Sequence, residues 1–169
     1  GYSKEDVKNG GTGYVPVNLQ YGEYTAKNAR ATSMAGGGPL ETFTNRTYKD
    51  KTSKAINITD LGMVNDTYAR MNGKPVIVFV NTANPIVFSE FEKNPNAIMI
   101  HFGVQDQALM ELITGGAEPS ALLPLQMPAD METVEAQYED APHDMKCYVD
   151  AEGNTYDFGF GLNWDGVIK

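Results

Sequence analysis

Six residues sit where a chain of alternating strands and helices gathers its ligands: Asn81, Thr82 and Asn84 after one apolar run, and Gly103, Gln105 and Asp106 after the next. Their amide, hydroxyl and carboxylate groups can hydrogen-bond the hydroxyls of a polar ligand, or hold the turns that they occupy. Asn84 precedes Pro85, and turn formation accounts for it better than ligand binding does. Gln105 and Asp106 leave both readings open, because Asp106 also suits a helix cap. A second cluster, Tyr21-Gly22-Glu23-Tyr24, sets a carboxyl group between two aromatic side chains. Aromatic neighbours raise a carboxyl pKa by desolvation, whereas a Glu in a polar loop is otherwise simply solvated.

The elements that must position these residues are regular from residue 55 onward. Val76, Ile77, Val78, Phe79 and Val80 show no polar alternation, as in a strand covered on both faces. A second run, residues 97–102, follows after about twenty residues, a distance that fits a crossover connection and a parallel pair. Before the first run, Leu61, Val64, Tyr68 and Met71 recur at helical spacing, Asp60 is the expected cap, and Asn72-Gly73 suits a left-handed end. Between the runs, residues 87–93 are expected to form a short helix. After the second, Asp106 is expected to cap a helix over residues 107–114 that buries Ala108, Leu109, Leu112 and Ile113. Residues 130–139 form a polar helix candidate with little apolar face, and residues 147–149 and 155–158 flank a hairpin turn at 150–154. His101, within a strand, reads as an interior histidine.

The first 54 residues are different. They are irregular, rich in Gly, Thr and Asn, with one short candidate strand at residues 14–19 whose Pro16 favours an edge or a strand start. A loop of that length is uncommon unless it serves a site or meets another domain. One domain over 1–169 is expected, a three-layer α/β/α sandwich with a mostly parallel sheet and a C-terminal β-hairpin element.

Composition excludes several classes. With 13 Lys plus Arg against 22 Asp plus Glu, the net charge of -9 speaks against a nucleic-acid partner. Cys147 is the only cysteine, and His101 and His143 have neither the spacing nor the company of a zinc site, so neither a disulfide framework nor a metal is expected. No cofactor motif is visible: no G-x-G-x-x-G or Walker sequence follows a candidate strand, which sets aside a flavodoxin-like or phosphate-binding module. Apolar runs fall short of the roughly twenty residues of a membrane span. The chain opens on Gly1-Tyr2-Ser3 without Met, as expected of a fragment or processed product whose targeting signal lies outside it.

Three landmarks in order then resemble the C-terminal domain of glycoside hydrolase family 3, the β-glucosidase and β-xylosidase family. Gly73-Lys74-Pro75-Val76-Ile77-Val78, followed by the turn at residues 81–85, is similar to that family's GKPVVVV strand and turn. Gly103-Val104-Gln105-Asp106, an apolar helix, and then Glu118-Pro119-Ser120-Ala121-Leu122-Leu123-Pro124 with Pro128, resemble its PGQEGG, helix, NPSGKLPxTxP series. Tyr156-Asp157-Phe158-Gly159-Phe160-Gly161-Leu162-Asn163-Trp164 is similar to its closing YPFGYGLSY. Two departures stand out: Val104-Gln105-Asp106-Gln107 replaces the glycine-rich turn, and Ala121 replaces the glycine of NPSG, which puts in doubt any glycan contact through the backbone of those turns.

The resemblance implies a retaining glycosidase with two carboxyl groups about 5 to 5.5 Å apart. The nucleophilic Asp would lie in an N-terminal (β/α)8 barrel of about 250 residues, more than this chain holds, so the chain by itself is expected to be inactive. The general acid/base of many members comes from the C-terminal domain, and Glu23 leads the candidates here, with Glu41 and Glu5 behind it and a position before Gly1 still open. Tyr21, Tyr24, Gln105 and Asp106 are the candidate substrate contacts. Phe43, Tyr48 and Trp164 could also stack on a sugar ring, and packing is the competing reading for Trp164. The implied partners are the barrel domain of the same enzyme and a β-glycoside or oligosaccharide, and the implied location is periplasmic or extracellular in a bacterium. The rival reading is a carbohydrate-binding or barrel-docking module without catalytic residues.

Overall fold

A computed structural model describes residues 18–31, 47–53, 57–138 and 141–169. Its regular centre is the expected parallel pair. Strand β1 (Ile77–Asn81) runs beside β2 (Ala97–His101), in register from Ile77 opposite Ala97 to Asn81 opposite His101. The pair is fastened ahead of β1 by the Val76 N–H, which donates to Asn96 Oδ1 at 2.8 Å. It is fastened beyond the strand ends by the Thr82 N–H, which donates to His101 O at 3.1 Å. Among the described residues the parallel sheet has these two strands.

The crossover departs from expectation. Instead of an α-helix over 87–93, a single 3-10 turn spans Phe88–Glu90. Side chains three residues apart eclipse in that geometry. Phe88 and Phe91 therefore fall on one side, with ring centroids 5.7 Å apart, and both are buried. An α-helix is also hemmed in by Pro85 and Pro95.

Around those two rings lies the core. Phe88 and Met127 are 1% and 0% exposed, and Val80, Ile86, Phe91 and Tyr148 complete the cluster. Tyr156 sits edge-on to both Phe88 and Tyr148, and stacks on Phe160 at 5.0 Å. These aromatics come together through an irregular antiparallel weave. The Met127 N–H donates to Tyr156 O, the Tyr148 N–H to Met127 O, and the Tyr156 N–H to Tyr148 O, all at 2.9 to 3.0 Å. Pro124 and Pro128 have no N–H to give, so the weave never becomes a regular ladder. The hairpin expected over 147–158 is reduced to one antiparallel bridge, Val149 to Thr155, around a turn where Asp150 Oδ1 accepts the Glu152 and Asn154 N–H groups. A second small hairpin pairs β3 (Leu162–Asn163) with β4 (Gly166–Val167).

The helices correct several expectations. Helix α1 (Ile58–Met71) starts before Asp60; Asn57 occupies the cap position without a side-chain cap bond, and Asp60 lies in the first turn. An acidic group there favours the positive helix end without capping it. Its C-terminal end is as expected, with Asn72 and Gly73 both left-handed. Helix α2 (Asp106–Ile113) likewise takes Asp106 inside, behind an extended Gln105. Of its four expected core residues only Leu109 is buried; Leu112 and Ile113 are half-buried and Ala108 is exposed. Helix α3 (Met131–Ala136) is capped by Asp130, whose Oδ1 accepts the Thr133 N–H at 2.7 Å. Against the expectation of a polar surface helix, Met131 and Glu135 are buried.

The two-faced burial expected of the strands also fails in part. Val76 and Val80 are buried, but Ile77 is 42% exposed. α1 buries no residue, and α2 only one, so neither helix closes over the strands as a full layer. Of the candidate strand at 14–19, residues 14–17 lie outside the described residues; Asn18 and Leu19 are not in a strand, although Leu19 O accepts the Val87 N–H at 2.8 Å.

Candidate functional site

The carboxyl ends of β1 and β2 open on a shallow depression lined by Asn81, Thr82, Ala83, Phe102 and Gly103. In an open α/β sheet this is the place where ligands gather. Gly103 takes a positive φ of 85°, which allows the sharp exit from β2. Thr82 Oγ1 accepts the Asn84 N–H at 3.2 Å and donates to Asn84 O at 2.8 Å, so the Thr82 side chain closes this turn on the Asn84 backbone. Gln105 and Asp106 follow, both exposed, at the start of α2. His101 is half-buried, and its Nδ1 has no partner among the described residues.

A second groove adjoins the first and shares Asn81 and Thr82 with it. Its opposite wall includes Gln20, Tyr21, Asn57 and Asp60. Residues 18–21 thus border the carboxyl end of β1. Asn18 Nδ2 donates to Gly22 O at 2.5 Å, and Gln20 Nε2 donates to Glu23 O at 3.0 Å. The Glu90 carboxylate accepts the Tyr21 N–H at 2.5 Å and the Gly22 N–H at 3.2 Å. The Glu23 side chain itself is exposed.

The two tyrosines beside Glu23 diverge. Tyr21 sets its ring edge against Phe91 at 5.5 Å, and burial, helped by the Asp60 and Glu90 charges, raises its phenol pKa. Tyr24 goes with α3: burial and the Glu135 carboxylate raise its phenol pKa. Glu135 is 5% exposed; its Oε2 accepts the Asn28 N–H at 2.9 Å, while its Oε1 has no partner among the described residues. Segment 24–30 is secured further by a Thr25 to Thr52 bridge and by Arg30, which donates to Gln137 O at 2.9 Å and lies 4.4 Å over the Tyr138 ring. The structure therefore joins Tyr21 to the strand ends and separates it from Tyr24. Trp164 is exposed on the small hairpin. Glu5, Glu41 and Phe43 lie outside the described residues.

Sequence reasoning missed Glu90 and Glu135. Each grips the 18–31 segment from far along the chain, and no local spacing marks such a pairing. Glu90 reads as a solvated residue of Ser89-Glu90-Phe91-Glu92, and Glu135 as part of a polar helix.

Among the described residues no group of three or more His, Cys, Asp or Glu could hold a metal ion, and no helix is long and apolar enough to cross a membrane. No solved structure matches the chain. It is 28% identical to beta-glucosidase C of Emericella nidulans over 113 residues, 67% of this chain and 17% of that protein. It is 30% identical to the probable beta-glucosidase C of Aspergillus flavus over 112 residues, 66% of this chain and 16% of that protein. A periplasmic beta-glucosidase/beta-xylosidase of Dickeya chrysanthemi is 30% identical over 88 residues, 52% of this chain and 12% of that protein. The chain therefore spans only a small part of the length of the curated relatives it matches. Residues 23–164 match the glycosyl hydrolase family 3 C-terminal domain, and the chain belongs to that family.

Proposed function

We propose that this domain completes the active site of a β-glucosidase-like enzyme by docking on an N-terminal (β/α)8 barrel. The observation that supports the reading is the groove that residues 18–21 share with the carboxyl end of β1, two residues ahead of an exposed Glu23. In this reading the barrel supplies an Asp that attacks the anomeric carbon. Glu23 gives its proton to the departing glycosidic oxygen, and then takes a proton from the water that releases the sugar. Tyr21, Tyr24, Gln105 and Asp106 are the proposed substrate contacts. A fuller three-layer sandwich around the β1–β2 pair is part of the same proposal. Export to the periplasm or cell exterior is part of the same proposal.

The test is leaving-group dependence in the full-length protein. Glu23→Gln should lower turnover of glycosides with poor leaving groups by roughly 10² to 10⁴-fold, and of activated aryl glycosides far less, since only poor leaving groups need protonation. The separate chain should hydrolyse no aryl β-glucoside above background. Equal losses for both substrate classes would remove Glu23 from catalysis. The rival reading, a docking or carbohydrate-binding module, predicts barrel or glycan affinity that survives Glu23→Gln with turnover intact.

A further inference from the structure

We infer that Glu90 is a positioning residue for the acid/base: its carboxylate grips the two backbone N–H groups just ahead of Glu23 and so fixes where that side chain can reach. The inference rests on the reading of Glu23 given above. Both Glu90 oxygens are engaged, Oε2 by the Tyr21 N–H and Oε1 by the Gly22 N–H, and a carboxylate held by two successive N–H groups is a directional, charge-assisted contact. Its mounting is part of the buried core. Glu90 lies in the 3-10 turn between Phe88 and Phe91, which are 1% and 3% exposed, and the Phe91 N–H closes that turn on Phe88 O at 3.1 Å. Gly22 permits the approach, since a Cβ there would come to 3.3 Å from Glu90 Oε1. Gln20 Nε2 steadies the Glu23 carbonyl on the same turn. The exposed Glu23 side chain thus springs from a backbone anchored in the core on the side of β1, and Glu90 itself touches no reacting atom.

The experiment compares Glu23→Gln, Glu90→Ala and Glu90→Gln in the full-length protein. It measures kcat and KM on one poor and one activated leaving group, with amide hydrogen exchange over residues 18–24 and thermal unfolding alongside. Glu90→Ala should lower kcat on the poor leaving group by roughly 10²-fold, the size of effect expected from a misplacement of about 1 Å. The activated substrate should keep its KM and most of its kcat, and exchange over 18–24 should quicken. Glu90→Gln, nearly the same shape and so safe against misfolding, should recover part of the loss, because its amide oxygen still accepts one N–H. If Glu23→Gln discriminates between leaving groups and neither Glu90 variant does, Glu23 stands as acid/base and the positioning role is overturned. If Glu23→Gln itself shows no discrimination, the acid/base reading falls and takes this inference with it.

Discussion

The half of the domain around Phe88 and the half formed by α1, α2 and the outer part of β1 both carry apolar side chains, but differ in how far these are covered. In the first, Phe88, Phe91, Met127 and Tyr148 are closed off from water by an aromatic weave. In the second, α1 buries nothing, Met63 is 64% exposed and Ile77 is 42% exposed. The contrast teaches that apolar spacing reports the face of an element intended for cover, and says nothing about the partner that provides it. The half that shares β1 and the crossover with the 18–23 turn is the well-buried one.

The comparison breaks most readily at the largest fully buried side chain. Phe88→Ala should cost about 3–5 kcal/mol in chemical unfolding, because it opens a cavity bounded by rings that cannot collapse inward. A loss below about 1 kcal/mol would mean that the aromatic half is loosely packed after all. Next comes Tyr148, whose hydroxyl donates to Glu92 Oε2 at 2.9 Å; burial first and the Glu92 carboxylate second push its pKa up to about 12. Tyr148→Phe removes a hydrogen bond to a charged group and should cost about 1.5–3 kcal/mol.

A smaller effect should appear on the acid side. Burial tends to raise the Asp157 carboxyl, but hydrogen bonds from Gln126 Nε2 at 2.7 Å and the Phe158 N–H at 2.6 Å, with Cys147 adding to them, hold it below its ordinary 3.8. A depressed pKa makes the folded state favour the ionised form, so the stabilisation is complete above pH 3.8 and fades as pH falls through the folded value. The stability gap between wild type and Asp157→Asn should therefore narrow as pH falls below about 4 through the folded value; a constant gap would assign the loss to shape and not to charge. Smallest of all, Met63→Ala in the separate domain should stay within about 0.5 kcal/mol. A larger cost there would show that α1 is covered in solution, and the contrast between the two halves would vanish.

What was legible in the sequence follows from the range over which each signal acts. The parallel pair could be read because two unbroken apolar runs set about twenty residues apart leave few alternatives. Asn72-Gly73 was legible because left-handed backbone is a property of one or two residues. Helix starts were less so: Asp is favourable throughout the first turn as well as at the cap, so Asp60 and Asp106 marked the neighbourhood of a start without marking the residue. The α-helix expected after Asn84-Pro85 failed because Phe88 and Phe91 needed a three-residue spacing to enter one core. At the site, the strand-end turns were predicted correctly from their Gly, Asn and Pro residues. The grip of Glu90 on Tyr21 and Gly22 was invisible, since a contact between residues so far apart in the chain leaves no periodic trace in either segment.

The weave of residues 123–127 with 148 and 156–160 has a consequence for biosynthesis. A ribosome delivers Phe88 and Phe91 well before Tyr148, Tyr156 and Phe160, the rings that close over them. Until residue 160 has left the exit tunnel, the two phenylalanines remain a naked apolar spot, open to chaperones and to other nascent chains. A premature stop anywhere between 128 and 156 would make that delay permanent, and the product should be cleared or aggregate even though β1, β2 and the Glu90 grip on the 18–23 turn had already been synthesised intact.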